Sequence, residues 1–193
     1  MTPEQLLLAV SACALPIPLE SCAGFVGAVI LDYESYAKKA KTTVSRLVEQ
    51  YGRDGFSHRA GKAYVICAAN EAPEDRRRWT IAHEIGHIAC GHLAHEHAPE
   101  SGKKTDEYKR KQEQEADRFA AALLAPFCLL LLCRPRSVGE LSKLTGLSRQ
   151  AAAIAFAGLE KFCKKDNAPS VAQKELIKNY LPFLADYFSS SSQ

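Results

Sequence analysis

His83 and His87 stand four residues apart with Glu84 between them, in the stretch Trp79-Thr80-Ile81-Ala82-His83-Glu84-Ile85-Gly86-His87. On a helix that spacing projects both imidazoles from one face, which is the HExxH arrangement that holds zinc. Zinc lowers the pKa of a bound water to near 7. Glu84, offset from the two ligands but within reach of that water, would take its proton and pass it to a leaving amine. From the frequencies of His and Glu in this chain, the bare pattern arises by chance in about one such chain in a hundred. Its surroundings carry more weight. Ile81, Ala82, Ile85, Ile88 and Ala89 flank it, so the helix is expected to be largely buried, and buried His and Glu need partners.

A zinc site needs a third protein ligand. Glu113-Gln114-Glu115-Ala116-Asp117 supplies candidates on a second helix. Glu113, Ala116, Asp117, Ala120, Leu123 and Leu124 share the face that becomes the core stripe. Glu115 falls with Lys111 and Arg118 on the solvated side, where a surface ion pair is its ordinary role. A ligand must point inward, so Glu113 is the better choice. Asp117, one turn on, is placed to accept a hydrogen bond from a ligating imidazole and fix its tautomer.

The elements that must carry these residues can be read from periodicity. The first motif helix is expected over about Glu74–Cys90, stopped by Gly91, and the second over about Thr105–Ala125, stopped by Pro126. His92–Lys104, polar and without apolar period, is expected as a surface loop. Asp54–Ser57 and Ala63–Cys67 predict a hairpin turning at Ala60-Gly61-Lys62. Asp32–Tyr51 carries apolar residues at three- and four-residue spacing and is expected as one amphipathic helix. Pro3–Ala14 predicts an N-terminal helix. Val138–Leu144, Thr145-Gly146 and Arg149–Cys163 form a helix-turn-helix-like pattern. A linker at Lys164–Pro169, a helix over Val171–Phe188 bent near Pro182, and a disordered tail at Ser189–Gln193 complete the chain.

Composition narrows the class. The chain has 193 residues, 47% hydrophobic and 24% charged, which is ordinary for a globular protein. The net charge of +3 is too small to imply a nucleic-acid partner by itself. Seven cysteines are scattered without a CxxC pair, which excludes zinc-ribbon and thioredoxin motifs and suggests reduced thiols in a cytosol. Leu6–Ala14 resembles a short signal core, and Val10–Cys13 a lipoprotein cleavage site. The preceding residues carry Glu4 and no Lys or Arg, so an N-terminal helix is favoured. Phe119–Cys133 lacks charge, but it is shorter than a bilayer span and holds Pro126. No membrane association is expected.

Taken together, Arg78–His87 and the later run Glu113-x-Glu115-Ala116-Asp117-x-Phe119-Ala120-Ala121-x-Leu123-Leu124-x-Pro126 resemble the ImmA/IrrE family of bacterial metallopeptidases. Asp54-Gly55-Phe56 through Ala68-Ala69-Asn70 is similar to that family's upstream hairpin. The resemblance covers roughly residues 53–163, and the two-helix motif is far more specific than HExxH alone. It implies zinc ligands at His83, His87 and Glu113 and a catalytic glutamate at Glu84. It further implies a cytosolic gluzincin-type protease that cleaves a helix-turn-helix repressor, often one encoded beside it on a mobile element or in a stress response. Many members have Met before the final proline, where this chain has Ala125. Residues 1–50 match nothing in the family pattern.

Other polar residues compete for roles. His92, His95 and His97 form an HxxHxH cluster, for which an exposed loop is favoured over a second metal. His92 is set apart, because a histidine five residues after the second ligand is usual for the family. It is a candidate cleft residue, and with Tyr108 a candidate oxyanion donor. Cys90 is read as a packed thiol rather than an inhibitory ligand. In the helix-turn-helix-like segment only Arg149 and Gln150 are placed to reach base edges, and Ala151–Ala157 is apolar. DNA binding is therefore the weaker reading beside docking of a protein substrate.

The expectation is an α+β fold: a mainly helical zincin-like core with a small antiparallel β-sheet over 1–135, a helix-turn-helix-like region over 136–165, and a C-terminal helix and tail over 166–193. Function is expected to be that of a cytoplasmic zinc endopeptidase using one Zn²⁺ per chain. The alternatives are a zinc-binding regulator that sequesters a repressor without cutting it, and a DNA-binding protein with structural zinc. Three protein ligands and no obvious fourth favour catalysis, since catalytic zinc keeps an open position.

Overall fold

The computed structural model describes residues 1–93, 106–163 and 168–190. Fourteen elements follow in order among them, eleven helices and three strands, so the fold is α+β and mainly helical. The chain divides into two compact units, Met1 with Leu19–Ala120, and Thr2–Pro18 with Ala121–Gln193.

In the first unit, β2 (Gly55–Ala60) and β3 (Ala63–Ala68) form the expected antiparallel hairpin, with Ala60 opposite Ala63. Gly61 takes the first position of the two-residue loop at φ +64°, a conformation that favours glycine. A third strand, β1 (Ala28–Leu31), pairs in parallel with β3, so the sheet is mixed and ordered β1-β3-β2. Four apolar residues between Gly27 and Asp32 carry no alternation, which hid this strand in the sequence. Ile66, Cys67 and Ala68 of the central strand are fully buried.

The helix expected over Asp32–Tyr51 is two helices. Asp32 caps α3 (Tyr33–Ala40), Lys41 turns left-handed at φ 52°, and Thr43 caps α4 (Val44–Tyr51) through the Arg46 N–H. A cap residue's preference for helix starts outweighs the apolar period that runs across it. These helices and the sheet enclose a cluster of Tyr33, Ala37, Leu47, Phe56 and Cys67. Tyr33 and Tyr36 meet Phe56 edge-on at 5.8 and 5.2 Å. Next to the cluster runs α5 (Glu74–Ala89), with Glu74 and Asp75 at its positive N-terminal end. It lies against the hairpin and against α6 (Asp106–Leu124). Two glycines permit this. A Cβ on Gly55 would stand 2.5 Å from both Cys67 O and Thr80 Cγ2, and Gly86 faces α6 without a side chain.

The second unit is helical. Helix α1 (Pro3–Ala9), closed by a Thr2/Gln5 capping box, is shorter than expected, because Ser11 turns to φ 51°. It packs against α10 (Val171–Asn179). Helix α11 (Leu181–Ser190) follows as a separate helix and includes Ser189, which the sequence assigned to the tail. Helix α7 (Phe127–Cys133) packs against α9 (Arg149–Cys163). Helix α8 (Val138–Thr145) ends at Gly146, φ 69°, and meets α9 in a helix-turn-helix whose inner side buries Leu141, Leu144, Leu147 and Ala152. On α9, Arg149, Gln150, Ala153, Ile154 and Ala157 are exposed, with Ile154 71% exposed.

Among the described residues one stretch, Asp106–Cys133, is long and apolar enough to cross a membrane, yet 61% of its apolar window is buried inside the protein. All seven cysteines are free. The expected loop from residue 94 to 104, with His95 and His97, lies outside the described residues, as do 164–167 of the expected linker and 191–193 of the tail.

Candidate metal centre

Helix α5 carries His83 and His87 one turn apart, and α6 brings Glu113 to meet them. One ligand atom from each residue lies within 4.8 Å of the others. His83 Nε2 and His87 Nε2 are 3.0 Å apart. Glu113 Oε2 is 3.2 Å from His83 Nε2, and its Oε1 is 3.5 Å from His87 Nε2. The histidine side chains are 17% and 12% exposed, whereas Glu113 is 59% exposed. The set therefore opens on one side.

Asp117 lies one turn beyond Glu113, and its Oδ1 accepts from His83 Nδ1–H at 2.9 Å. A carboxylate can only accept, so the proton sits on Nδ1 and the His83 Nε2 lone pair faces the cluster. That lone pair, the Nε2 atom of His87 and the Glu113 carboxylate converge within 4.8 Å. Three such groups with one ligand atom each in reach of a common point could hold a metal ion. Two imidazoles and a carboxylate are the donor set of catalytic zinc sites.

Glu84 points from the same helix into the cleft but stays buried. Burial pushes its carboxyl above the ordinary range, while the hydrogen bond donated by the Ser57 hydroxyl and the nearby His83 pull the other way. His87 is pushed down to about 4, first by burial and then by His83, so its ring is neutral near pH 7 and able to ligate. A cleft of about 590 Å³ runs over these groups, walled by Gly55, Phe56 and Ser57 of β2, Trp79 and Thr80 of α5, and Gln112, Glu113 and Asp117 of α6.

His92 also lines this cleft, and both its ring nitrogens are engaged, Nδ1 with His87 Nδ1 and Nε2 with Glu115, each at 3.0 Å. Glu115 lies on the solvated side as expected, 53% exposed, and its carboxylate also reaches His92. Tyr108 is 42% exposed, takes a hydrogen bond from Gln112 Nε2, and is not among the described residues that line the cleft. Cys90 is exposed rather than packed. Ser57 and Glu115 are the two site residues that sequence reasoning passed over. Ser57 was visible only as a polar residue in a strand. The signal for Glu115 was His92 itself, just past the helix stop at Gly91.

Residues 25–156 match the family model of peptidase M78, described as the IrrE N-terminal-like domain. No curated protein and no solved structure matches the chain.

Proposed function

The chain belongs to the M78 peptidase family of IrrE N-terminal-like domains, and from that premise we propose that it is a zinc-dependent endopeptidase acting on a regulatory protein. The observation that carries the reading is the convergence of His83, His87 and Glu113 on one point beside a buried glutamate. In this reading His83, His87 and Glu113 hold the metal, Asp117 orients His83, and Glu84 is the general base and then acid.

Bound zinc supplies Lewis acidity toward a scissile carbonyl and lowers the pKa of water to near 7. Glu84, buried beside the three residues that would hold the metal, would take the proton of the attacking water and return it to the departing amine. Burial favours its protonated form, which suits a group that must take up a proton and return it. Ser57 holds the Glu84 carboxylate from β2, its hydroxyl donating to Oε2. His92, with both nitrogens engaged, has no N–H to spare for an oxyanion.

The substrate class, a repressor with a helix-turn-helix domain met in the cytosol, rests on the family resemblance. Seven free thiols are in keeping with a reducing compartment. DNA binding is the weaker alternative, because Ala153, Ile154 and Ala157 follow Arg149 and Gln150 on the exposed side of α9, and apolar side chains read few base edges. The test is incubation of zinc-loaded protein with helix-turn-helix repressors from the same genome, followed by intact mass spectrometry. Wild type should yield two fragments of one repressor, and Glu84→Gln should keep zinc but leave it whole. Equal cleavage by Glu84→Gln would sink the protease reading. Capture without cleavage by wild type would favour sequestration.

A further inference from the structure

Helix α5 ends in a way that returns the chain over its own last turn. Gly91 adopts φ +80°, its N–H donates to Ile88 O at 3.0 Å, and the His92 N–H donates to His87 O at 2.9 Å. This pair of bonds is the Schellman closure, in which a left-handed glycine sends the next residue back across the helix end. The side chain so returned is His92, only 6% exposed. Its ring and that of His87 meet edge-on with centroids 5.0 Å apart.

The protons on this pair follow from Glu115. Its Oε2 lies 3.0 Å from His92 Nε2 and can only accept, so Nε2 of His92 carries a proton. With that nitrogen given to Glu115, Nδ1 is the atom of His92 left to accept, and it lies 3.0 Å from Nδ1 of His87. One of those two nitrogens must donate, and it is His87. With its proton on Nδ1, His87 presents a lone pair at Nε2, the atom that faces His83 and Glu113. The opposite tautomer would aim a proton at the cluster and prevent ligation.

We propose that Glu115 and His92 are positioning residues that fix the tautomer and ring orientation of His87 and thereby set the affinity of the centre for its metal. The two ligating histidines are thus treated differently. His83 meets its carboxylate, Asp117, directly, whereas His87 meets Glu115 through an intervening imidazole. The inference rests on the zinc reading above.

Two measurements on the full chain test it. In metal-free protein labelled with ¹⁵N-histidine, the ring shifts of His87 should report a proton on Nδ1 in wild type. They should move toward the Nε2–H form in His92→Phe, which removes the acceptor and keeps the bulk. Zinc titrated against a chelating dye should bind His92→Phe about 10- to 100-fold more weakly than wild type. His92→Gln, whose amide oxygen can accept from His87 Nδ1–H, should recover most of that loss. A merely structural role for His92 would move neither the tautomer nor show this rescue. Glu115→Ala, at a carboxylate 53% exposed, supplies a second variant that should fold and should weaken zinc in the same direction, with Glu115→Gln retaining it. Zinc affinity within twofold of wild type in both His92→Phe and Glu115→Ala, or an unchanged His87 tautomer, would overturn the relay alone. Failure of wild type to bind zinc would overturn the metal reading and the relay with it.

Discussion

Gly86 of α5 faces Ala116 of α6 so closely that a methyl group there would be tight. A Cβ on Gly86 would stand 3.0 Å from Ala116 O, 3.1 Å from Ala116 Cα and 3.2 Å from Phe119 Cβ. The glycine falls between the two histidines of the motif and lets the helix bearing Glu113 come within ligand range. Gly86→Ala is expected to force the helices apart by a few tenths of an ångström. The cost is about 1–3 kcal/mol, as for overpacked cores, less the gain in helix propensity. Denaturant unfolding should show the lower midpoint, and zinc affinity should fall with it. Unchanged values for both would contradict this role.

Ser57→Ala removes the hydroxyl that holds the buried Glu84 carboxylate. Ser57 belongs to β2 and touches no proposed ligand by hydrogen bond, so zinc uptake should stay at the wild-type level. Turnover should drop by roughly tenfold or more, since small misplacements of a catalytic group cost rate steeply. Loss of zinc instead would mean that Ser57 supports the metal rather than the base.

Asp117→Ala should weaken zinc about 10- to 100-fold, the usual scale for removing a carboxylate behind a ligating histidine. Asp117→Asn keeps an oxygen for His83 Nδ1–H and should lose less. A dye-competition titration separates the two. Equal losses would show that the charge of Asp117, not its acceptor geometry, matters.

Burial pushes the thiols of Cys22, Cys128 and Cys133 up to about 11 and that of Cys67 up to about 12. At pH 8 a thiol with a pKa of about 11 is thiolate in about one part in a thousand, and the thiolate is the reactive form. A maleimide or disulfide reagent should therefore label Cys13, Cys90 and Cys163 in the native protein, with Cys90 slower because burial and Glu115 raise it. The other four should react only on unfolding. The unfolded chain releases these protons first as pH rises, near 8.5. Stability should thus be fully present below that pH and decline through the range up to about 11–12. A melting temperature that holds steady from pH 8 to 11 would contradict the assignment.

Much of the centre was legible because helices repeat. The i, i+4 spacing of His83 and His87, and the register that puts Glu113 on the face of Ala116 and Ala120, place three groups on facing sides of two helices without any knowledge of the fold, although Glu113 sits at the open edge of that face, 59% exposed. Periodicity could not show what lies beyond a helix end. His92 sits past Gly91, where the chain doubles back, so its meeting with Glu115 belongs to no helical wheel. Likewise the break at Lys41–Thr43 was masked by apolar residues that keep helical spacing across it. Ser57 reaches Glu84 from a strand 27 residues earlier, a contact that only the approach of β2 to α5 creates.

X-ray absorption at the zinc edge of the zinc-loaded protein reads the proposed centre most directly. The account predicts a first shell of nitrogen and oxygen alone, at about 2.0–2.2 Å, fitted by two imidazoles, a carboxylate and one exchangeable oxygen. Glu113→Ala should lose the zinc or replace the carboxylate. A sulfur scatterer near 2.3 Å, or a wild-type spectrum unchanged by Glu113→Ala, would contradict the His83–His87–Glu113 centre.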